Sequence, residues 1–305
     1  MILCCGEALI DMLPRKMNDG AEVFLPVPGG AIFNTAIALG RLDEDTGFFS
    51  SISNDMFGEQ LIDALQQSNV DTNLCVRLPN PTTLAFVKLD KGQATYSFMD
   101  ENSALRNLET SQLTCLPKTV SALHFGAISL IPERCGTAYE KLMADNQDKV
   151  LSIDPNIRLG FIHDEKSHRV RINQMIAMAD IIKVSDEDLD WIAHGKPKQD
   201  LLDEWLKGGA SVVLLTKGAE GVTAYLQSGS ISIPALNVEV VDTIGAGDTF
   251  NAGFLSGLRK SNLLTKNNLK GVTSAQIKPA LELAAKVAAF TVSKIGANPP
   301  WANQL

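Results

Sequence analysis

Asp248 stands directly after Gly245-Ala246-Gly247, and the turn leads through Thr249 and Phe250 into a helix-compatible segment reaching about Arg259. Two glycines around one small residue let the backbone take positive φ and approach a ligand with no Cβ in the way. Amides in a first helical turn lack intrahelical acceptors and lie at the positive end of the macrodipole, so this turn suits an anion. A carboxylate beside it has two readings. Asp is favoured near helix starts as a cap in its own right, and it is also the residue type of a general base set next to a phosphoryl-binding nest. A Walker loop is excluded, because Asp248-Thr249 stand where Lys-Ser/Thr is required. A dinucleotide fingerprint is excluded too, because its third glycine falls on Phe250. The apolar run Val238-Glu239-Val240-Val241 ahead of the turn reads as a strand.

The chain that must position this turn has 305 residues, 45% hydrophobic and 20% charged, which fits one large α/β domain or two small ones. A formal net charge of −8 argues against a nucleic-acid partner, since phosphate contacts need a basic surface. No stretch is long enough to span a membrane. Five scattered cysteines without a C-x-x-C pair exclude a disulfide framework or zinc site, so a reducing, cytoplasmic location is expected. Met1 to Ile10 is interrupted by Glu7 and runs into Asp11 and Pro14, and it reads as a strand rather than a leader.

Ile2 to Asp11 is expected to be one buried strand ending in a carboxylate, at the strand end where open α/β sheets gather ligands. Ala21 to Val27 reads as a strand, and Gly29-Gly30 open an Ala-rich helix carrying Asn34. Thr46 to Ser53 is a further strand, followed by a helix from Phe57 to Gln67 capped by Asp55. Leu74 to Leu78, Thr83 to Leu89 and Ala94 to Met99, with a hairpin turn at Asp90-Lys91-Gly92, are short β-prone segments. With residues about 13 to 28 they make a small sheet standing off the main one.

Beyond Pro117, strands at Ala122–Phe125, Val150–Asp154, Ile181–Val184 and Val212–Thr216 alternate with helical stretches such as Ile131 to Asn146 and Glu165 to Met178. This alternation marks a parallel sheet covered on both faces. Ala280 to Lys294 reads as a helix of small residues with a glycine cap at Gly296. Without linkers or repeats, residues 1 to 305 form one domain. At the strand ends, Asp154-Pro155-Asn156-Ile157-Arg158 turns into a loop whose guanidinium could clamp oxygens bidentately. Lys183-Val-Ser185-Asp186-Glu187-Asp188 and Thr216-Lys-Gly218-Ala-Glu-Gly221 end the next two strands, and the acidity of the former also suits a first helical turn. His124, His163, His168 and His194 show no ligand spacing.

Asp242-Thr-Ile-Gly-Ala-Gly-Asp-Thr-Phe-Asn-Ala-Gly-Phe254 resembles the C-terminal signature of the ribokinase-like (PfkB) sugar kinases, and Gly29-Gly30-x-x-x-Asn34 is similar to their N-terminal one. The resemblance implies a three-layer α/β/α sandwich with a mostly parallel central sheet and a small β-sheet lid, formed by about 13–28 and 72–99. It makes Asp248 the acceptor of the sugar hydroxyl proton and the amides of Gly245, Ala246 and Gly247 an anion hole. Asp11, Gly30, Asn34 and Arg158 then bind the sugar, and Lys183, Ser185, Thr216, Gly218 and Gly221 the ATP.

Asp188 falls where the family's N-x-x-E element organises Mg²⁺ through water, although Ser185 and Asp188 depart from its Asn and Glu. Asp242, Ile244 and Gly296 are implicated in a monovalent cation such as K⁺. A lid sheet with one apolar face wants a partner, so a homodimer is expected. Gly6-Glu-Ala-Leu-Ile-Asp11, D-P-N-x-R and K-V-S-D-E look most similar to bacterial-type fructokinases, implying D-fructose phosphorylated at O6. A 2-keto-3-deoxygluconate kinase stays open, since Arg158 serves either sugar. A sugar or nucleotide sensor that lost turnover is the alternative of a different class, and an intact Asp248 and Gly-Ala-Gly turn argue against it.

Overall fold

The computed structural model describes residues 1–90 and 93–305, and the side chains outside 88–96. The expected first strand is two strands. β1 (Ile2–Cys5) belongs to a large sheet and β2 (Leu9–Lys16) to a small one. The chain leaves the large sheet at Gly6, which passes so close over Ile32 that a Cβ would lie 2.4 Å from Ile32 Cγ1. β3 (Glu22–Gly29) pairs antiparallel with β2, and α1 (Ala31–Arg41) follows Gly30.

The expected strand from Thr46 to Ser53 divides at Ser50 into β4 (Thr46–Phe49) and β5 (Ser51–Ser53). α2 (Met56–Gln67) is capped by Asp55, whose Oδ1 accepts from the amides of Phe57 and Gly58 at 3.1 and 2.8 Å. After β6 (Val70–Asp71), β7 (Val76–Leu78) pairs with β5 in a separate two-stranded sheet rather than joining the small one. β8 (Leu84–Asp90) and β9 (Gln93–Met99) complete the small sheet in the order β3-β2-β8-β9. The turn expected at Asp90-Lys91-Gly92 falls on residues 91 and 92, outside the described ones.

The second half alternates as expected: β10 (Ala122–Gly126), α3 (Cys135–Ala144), β11 (Val150–Asp154), α4 (Glu165–Met178), β12 (Ile181–Ser185), α5 (Asp186–Ala193), α6 (Lys198–Gly208) and β13 (Val212–Thr216). β14 (Val222–Leu226) and β15 (Gly229–Ile233) turn back antiparallel. The large sheet runs β15-β14-β13-β12-β11-β10-β1-β4-β6, parallel from β13 to β6. Val238 to Val241 is not a strand. Among the described residues it pairs with no strand, and Val241 instead donates its amide to the Val292 carbonyl at 2.8 Å. α7 (Ala246–Lys260), the short α8 (Lys266–Leu269) and α9 (Ser274–Val292) close the chain. α9 starts a turn and a half before Ala280, on a capping box of Thr273 and Gln276, and carries Pro279 inside it. Its C-cap is Ser293, and Gly296 (φ 69) belongs to the turn beyond.

Alternate strand residues face opposite helix layers, as period two requires. Ile2, Cys4, Val212 and Leu214 pack with α1, α2, α7 and α9, whereas Leu3, Cys5, Val213 and Leu215 pack with α3, α4, α5 and α6. Among the described residues no helix is long and apolar enough to cross a membrane. α7 touches α9 through Gly253 and Gly257, where an added Cβ would lie 2.7 Å from Ala284 Cα and 2.5 Å from Ala280 Cα. Gly257→Ala is therefore expected to lower the melting temperature by several degrees, through overpacking of about 1–3 kcal/mol. Gly208→Ala, with nothing within 4 Å of its Cβ position, should leave it unchanged or slightly raised.

Candidate active site

The carboxyl ends of the parallel strands meet the first turns of α1 and α7. Gly245 caps α7 in the left-handed region (φ 78, ψ 1), a conformation that favours glycine, and a Cβ there would also strike Ala297. The amides of Gly245 and Gly247 donate to no protein acceptor among the described residues, while Ala246 makes one long bond, 3.3 Å, to the Thr243 carbonyl. Gly247 is helical, and its smallness answers to a side chain: a Cβ would lie 3.0 Å from Lys183 Nζ.

Asp248, in the same turn, is buried and accepts from Asn34 Nδ2 at 2.9 Å. Thr35 adds a bond from its hydroxyl to the Asp248 carbonyl at 3.1 Å, so α1 holds both ends of the residue. Burial pushes the Asp248 carboxyl up to about 6, with Asp154 adding to the rise and Asn34, Lys183 and Arg158 opposing it. Asp11, on β2, is pushed up to about 6 by burial and by the charge of Asp248. Glu7, between β1 and β2, is held at about 7 by burial, opposed by the amides of Ile32 and Ala31 that its Oε1 accepts, and raised further by Asp248.

On the other side of Asp248, Lys183 and Asp154 form a buried pair, Nζ to Oδ2 2.9 Å, and Asn251 donates to the same oxygen at 2.8 Å. Beside it opens a crevice of about 190 Å³ lined by Asn156, Arg158, Lys183, Ser185, Asp188 and Trp191. A larger crevice, about 330 Å³, surrounds the Asp180–Lys266 ion pair and contains none of these residues. A titratable carboxylate, a row of free amides and an ammonium thus converge on one edge of the sheet, the equipment for moving a proton beside an anion.

A model of the pfkB family carbohydrate kinases matches residues 1–304. The chain belongs to this family. It is 52% identical over 279 residues to a fructokinase of Rhizobium leguminosarum bv. trifolii, covering 91% of this chain and 86% of that one. It is 33% identical over 308 residues to the probable chloroplastic fructokinase-6 of Arabidopsis thaliana, covering 98% and 79%. A crystal structure of a fructokinase from Xylella fastidiosa with bound ATP matches at a TM-score of 0.88 and 28% identity, covering 97% of this chain and 93% of that one. The ribokinase-like sandwich expected from the two signatures is the fold of this carbohydrate kinase.

The remaining candidates are placed as follows. Asp11 reaches the site from the small sheet rather than from the end of a large-sheet strand, with the missing Cβ of Gly29 leaving room for its Oδ2. Gly30 (φ 115) caps α1, where a Cβ would press on the Glu7 carbonyl at 2.9 Å. Arg158 is exposed at the mouth of the crevice and donates to the Ile157 carbonyl at 3.1 Å. Ser185 and Asp188 form a capping box on α5, and Asp188 Oδ1 also accepts from the Ile157 amide at 2.8 Å, tying the Arg158 loop to α5.

Gly218 (φ 53) is exposed in the turn after β13, whereas Gly221 (φ 97) is required by packing on the Ile233 carbonyl. Thr216 donates to the Val184 carbonyl at 3.3 Å. Asp242, Ile244 and Gly296 are brought together, the carboxylate accepting from the Ile244 and Gly296 amides at 3.0 and 2.9 Å. His124 is buried against Ser152 and pushed down to about 3 by burial and Lys183, a neutral core residue.

Sequence reasoning missed Glu7, Asp154 and Asn251 as members of the site. Each left a trace: Glu7 as a lone acid in an apolar run, Asp154 at a strand end, and Asn251 one helical turn after Asp248. For this kinase, kcat/KM is expected to fall below about pH 6 as Asp248 takes up a proton. Asn34→Ala removes a bond that favours the ionised form, so the acid limb of the pH–rate profile should move to higher pH.

Proposed function

We propose that this kinase transfers the γ-phosphoryl group of ATP to the 6-hydroxyl of D-fructose. The observation that carries the reading is the Asp248 carboxylate, fixed by Asn34 in the first turn of α7 beside the unpaired amides of Gly245 and Gly247. In this step the sugar oxygen forms a bond to Pγ, the bond from Pγ to the bridging oxygen breaks, ADP leaves with that electron pair, and the hydroxyl proton passes to Asp248. The amides stabilise charge on the transferring group where water is excluded. Fructose as the acceptor is supported by the 52% identity to the Rhizobium enzyme.

Asp11, Gly30, Asn34 and Arg158 are assigned to the sugar, and Lys183, Ser185, Thr216, Gly218 and Gly221 to the nucleotide. Among the described residues no group of three or more His, Cys, Asp or Glu side chains fits a metal cage. Both Asp188 oxygens are already engaged by Ser185 and Ile157. Asp188 is assigned to organising Mg²⁺ through water, since its Oδ1 keeps a lone pair beside the Ile157 bond, and the ion itself enters with the phosphates. Asp242, Ile244 and Gly296 are assigned to a monovalent cation.

The small sheet is the lid of the same proposal, closing to keep water from the phosphoryl group. Its edge strand β3 exposes apolar side chains on both faces, Val23 and Leu25 (38 and 47%) on one and Phe24 (49%) beside Phe86 on the other, an apolar edge suited to a second copy of the chain. The expected cytoplasmic setting accords with five free cysteines, of which Cys4, Cys5 and Cys135 are buried.

ADP release with MgATP should depend on fructose and not on 2-keto-3-deoxygluconate, ribose or adenosine. Asp248→Asn should lower kcat about 10²–10⁴-fold while fructose still binds. Turnover on another sugar of the panel would replace the substrate, and sugar binding without ADP would favour a sensor. Sedimentation at micromolar concentration should give a dimer, converted to monomer by Phe24→Lys.

A further inference from the structure

Asp154 closes β11 with Pro155 behind it, and on sequence grounds it is a turn residue. In the fold it is buried, with 2% of its surface exposed, and its Oδ2 serves two donors from different elements: Lys183 Nζ on β12 at 2.9 Å and Asn251 Nδ2 on α7 at 2.8 Å. Its Oδ1 is buried without a hydrogen-bond partner among the described residues. A carboxylate kept only to hold a core together would be expected to have both oxygens satisfied, because a half-solvated buried charge costs stability. Such a cost is tolerated where function needs the group.

Lys183 is left incomplete in a matching way. An ammonium has three donors; one goes to Asp154, and no other protein acceptor takes the rest among the described residues. It stands beside Gly247, whose missing side chain is what admits it, and it lines the crevice that Arg158 shares. Resting on the kinase reading above, we propose that Asp154 is a positioning residue for phosphoryl transfer: it ties Lys183 to α7 through Asn251, so that the two spare ammonium donors meet oxygens of the transferring phosphoryl group at the Gly247 amide. Asp154 orders the cation without filling the place of the substrate, since it binds from beneath and uses one donor.

The charged and titratable groups facing Lys183 are Asp154 on β11, His124 on β10, Asp248 on α7, Glu187 and Asp188 on α5, and Arg158 in the loop after β11. His124 is neutral at working pH, being held at about 3. Burial pulls the Lys183 ammonium down, but Asp154, with Asp188 and Asp248 behind it, outweighs burial and holds it above its ordinary value. In Asp154→Asn the burial stays and the largest favourable charge goes, so the Lys183 pKa falls. Asp248 loses the repulsion of Asp154, so its pKa falls too.

The test is the pH–rate profile of Asp154→Asn, a change that keeps shape and an oxygen acceptor for Asn251. The acid limb, set by Asp248, and the basic limb, set by Lys183, should both move to lower pH, and kcat should fall more than the KM for fructose rises. Lys183→Met should lower kcat about 10²–10³-fold, the cost typical of losing one charge-stabilising donor, with fructose affinity kept. Lys183→Met at full kcat, or an Asp154→Asn enzyme slower only in proportion to lost folded protein with its limbs unmoved, overturns the proposal. Calorimetric binding of tripolyphosphate separates this from a failure of the kinase reading. A wild type that turns over no sugar defeats that reading, yet a tripolyphosphate affinity lost in Lys183→Met and kept in Asp248→Asn still supports the placement of Lys183. An affinity indifferent to Lys183 refutes it.

Discussion

The bond from Asn34 to Asp248 holds the site together. It joins the first turns of two helices separated by more than two hundred residues, and the Thr35 hydroxyl on the Asp248 carbonyl doubles the link. Each helix would otherwise end at the sheet edge with open amides and no fixed relation to the other. Once joined, α1 places the small sheet through Gly29 and Gly30, and α7 carries the row of free amides. The carboxylate between them is held by a donor from a neighbouring element, the support that the base proposed above requires.

The electrostatics follow from that closeness. Glu7, Asp11, Asp154 and Asp248 crowd one edge, and the carboxyls of Glu7, Asp11 and Asp248 are all pushed upward by burial. The fold manages the repulsion by giving most of these acids a different donor: α1 amides for Glu7, Asn34 for Asp248, Lys183 and Asn251 for Asp154. The first turn of α1 is filled by the chain's own carboxylate, and the first turn of α7 is left open. Two helix starts thereby differ, one closed by a protein carboxylate and the other keeping amides free for the phosphoryl group proposed above.

Much of the fold was legible because a parallel sheet writes itself as alternation: Val150–Asp154, Glu165–Met178 and Val212–Thr216 were bounded from sequence as the structure has them. Boundaries failed where pairing partners, not local pattern, decide. Ile2 to Ile10 is apolar but for Gly6 and Glu7, yet it serves two sheets because Gly6 crosses Ile32. Val238 to Val241 has strand composition but pairs with no strand among the described residues, and α9 runs through Pro279 because a capping box starts it earlier.

The site divides in the same way. Sequence by itself determined the Gly245-Ala246-Gly247-Asp248 turn and the Gly30 and Asn34 pair. Those are short-range spacings or motif matches, in which residue type and separation already carry the geometry. Only the tertiary structure decided that Gly247 makes room for Lys183, that Ser185 and Asp188 form a cap which also ties the Arg158 loop, and that Lys183 and Asn251 donate to the same oxygen of Asp154. Each of these rests on side chains from different strands and helices meeting in a buried volume. A buried charge acquires its meaning from the partners that solvate it, and those are chosen by packing.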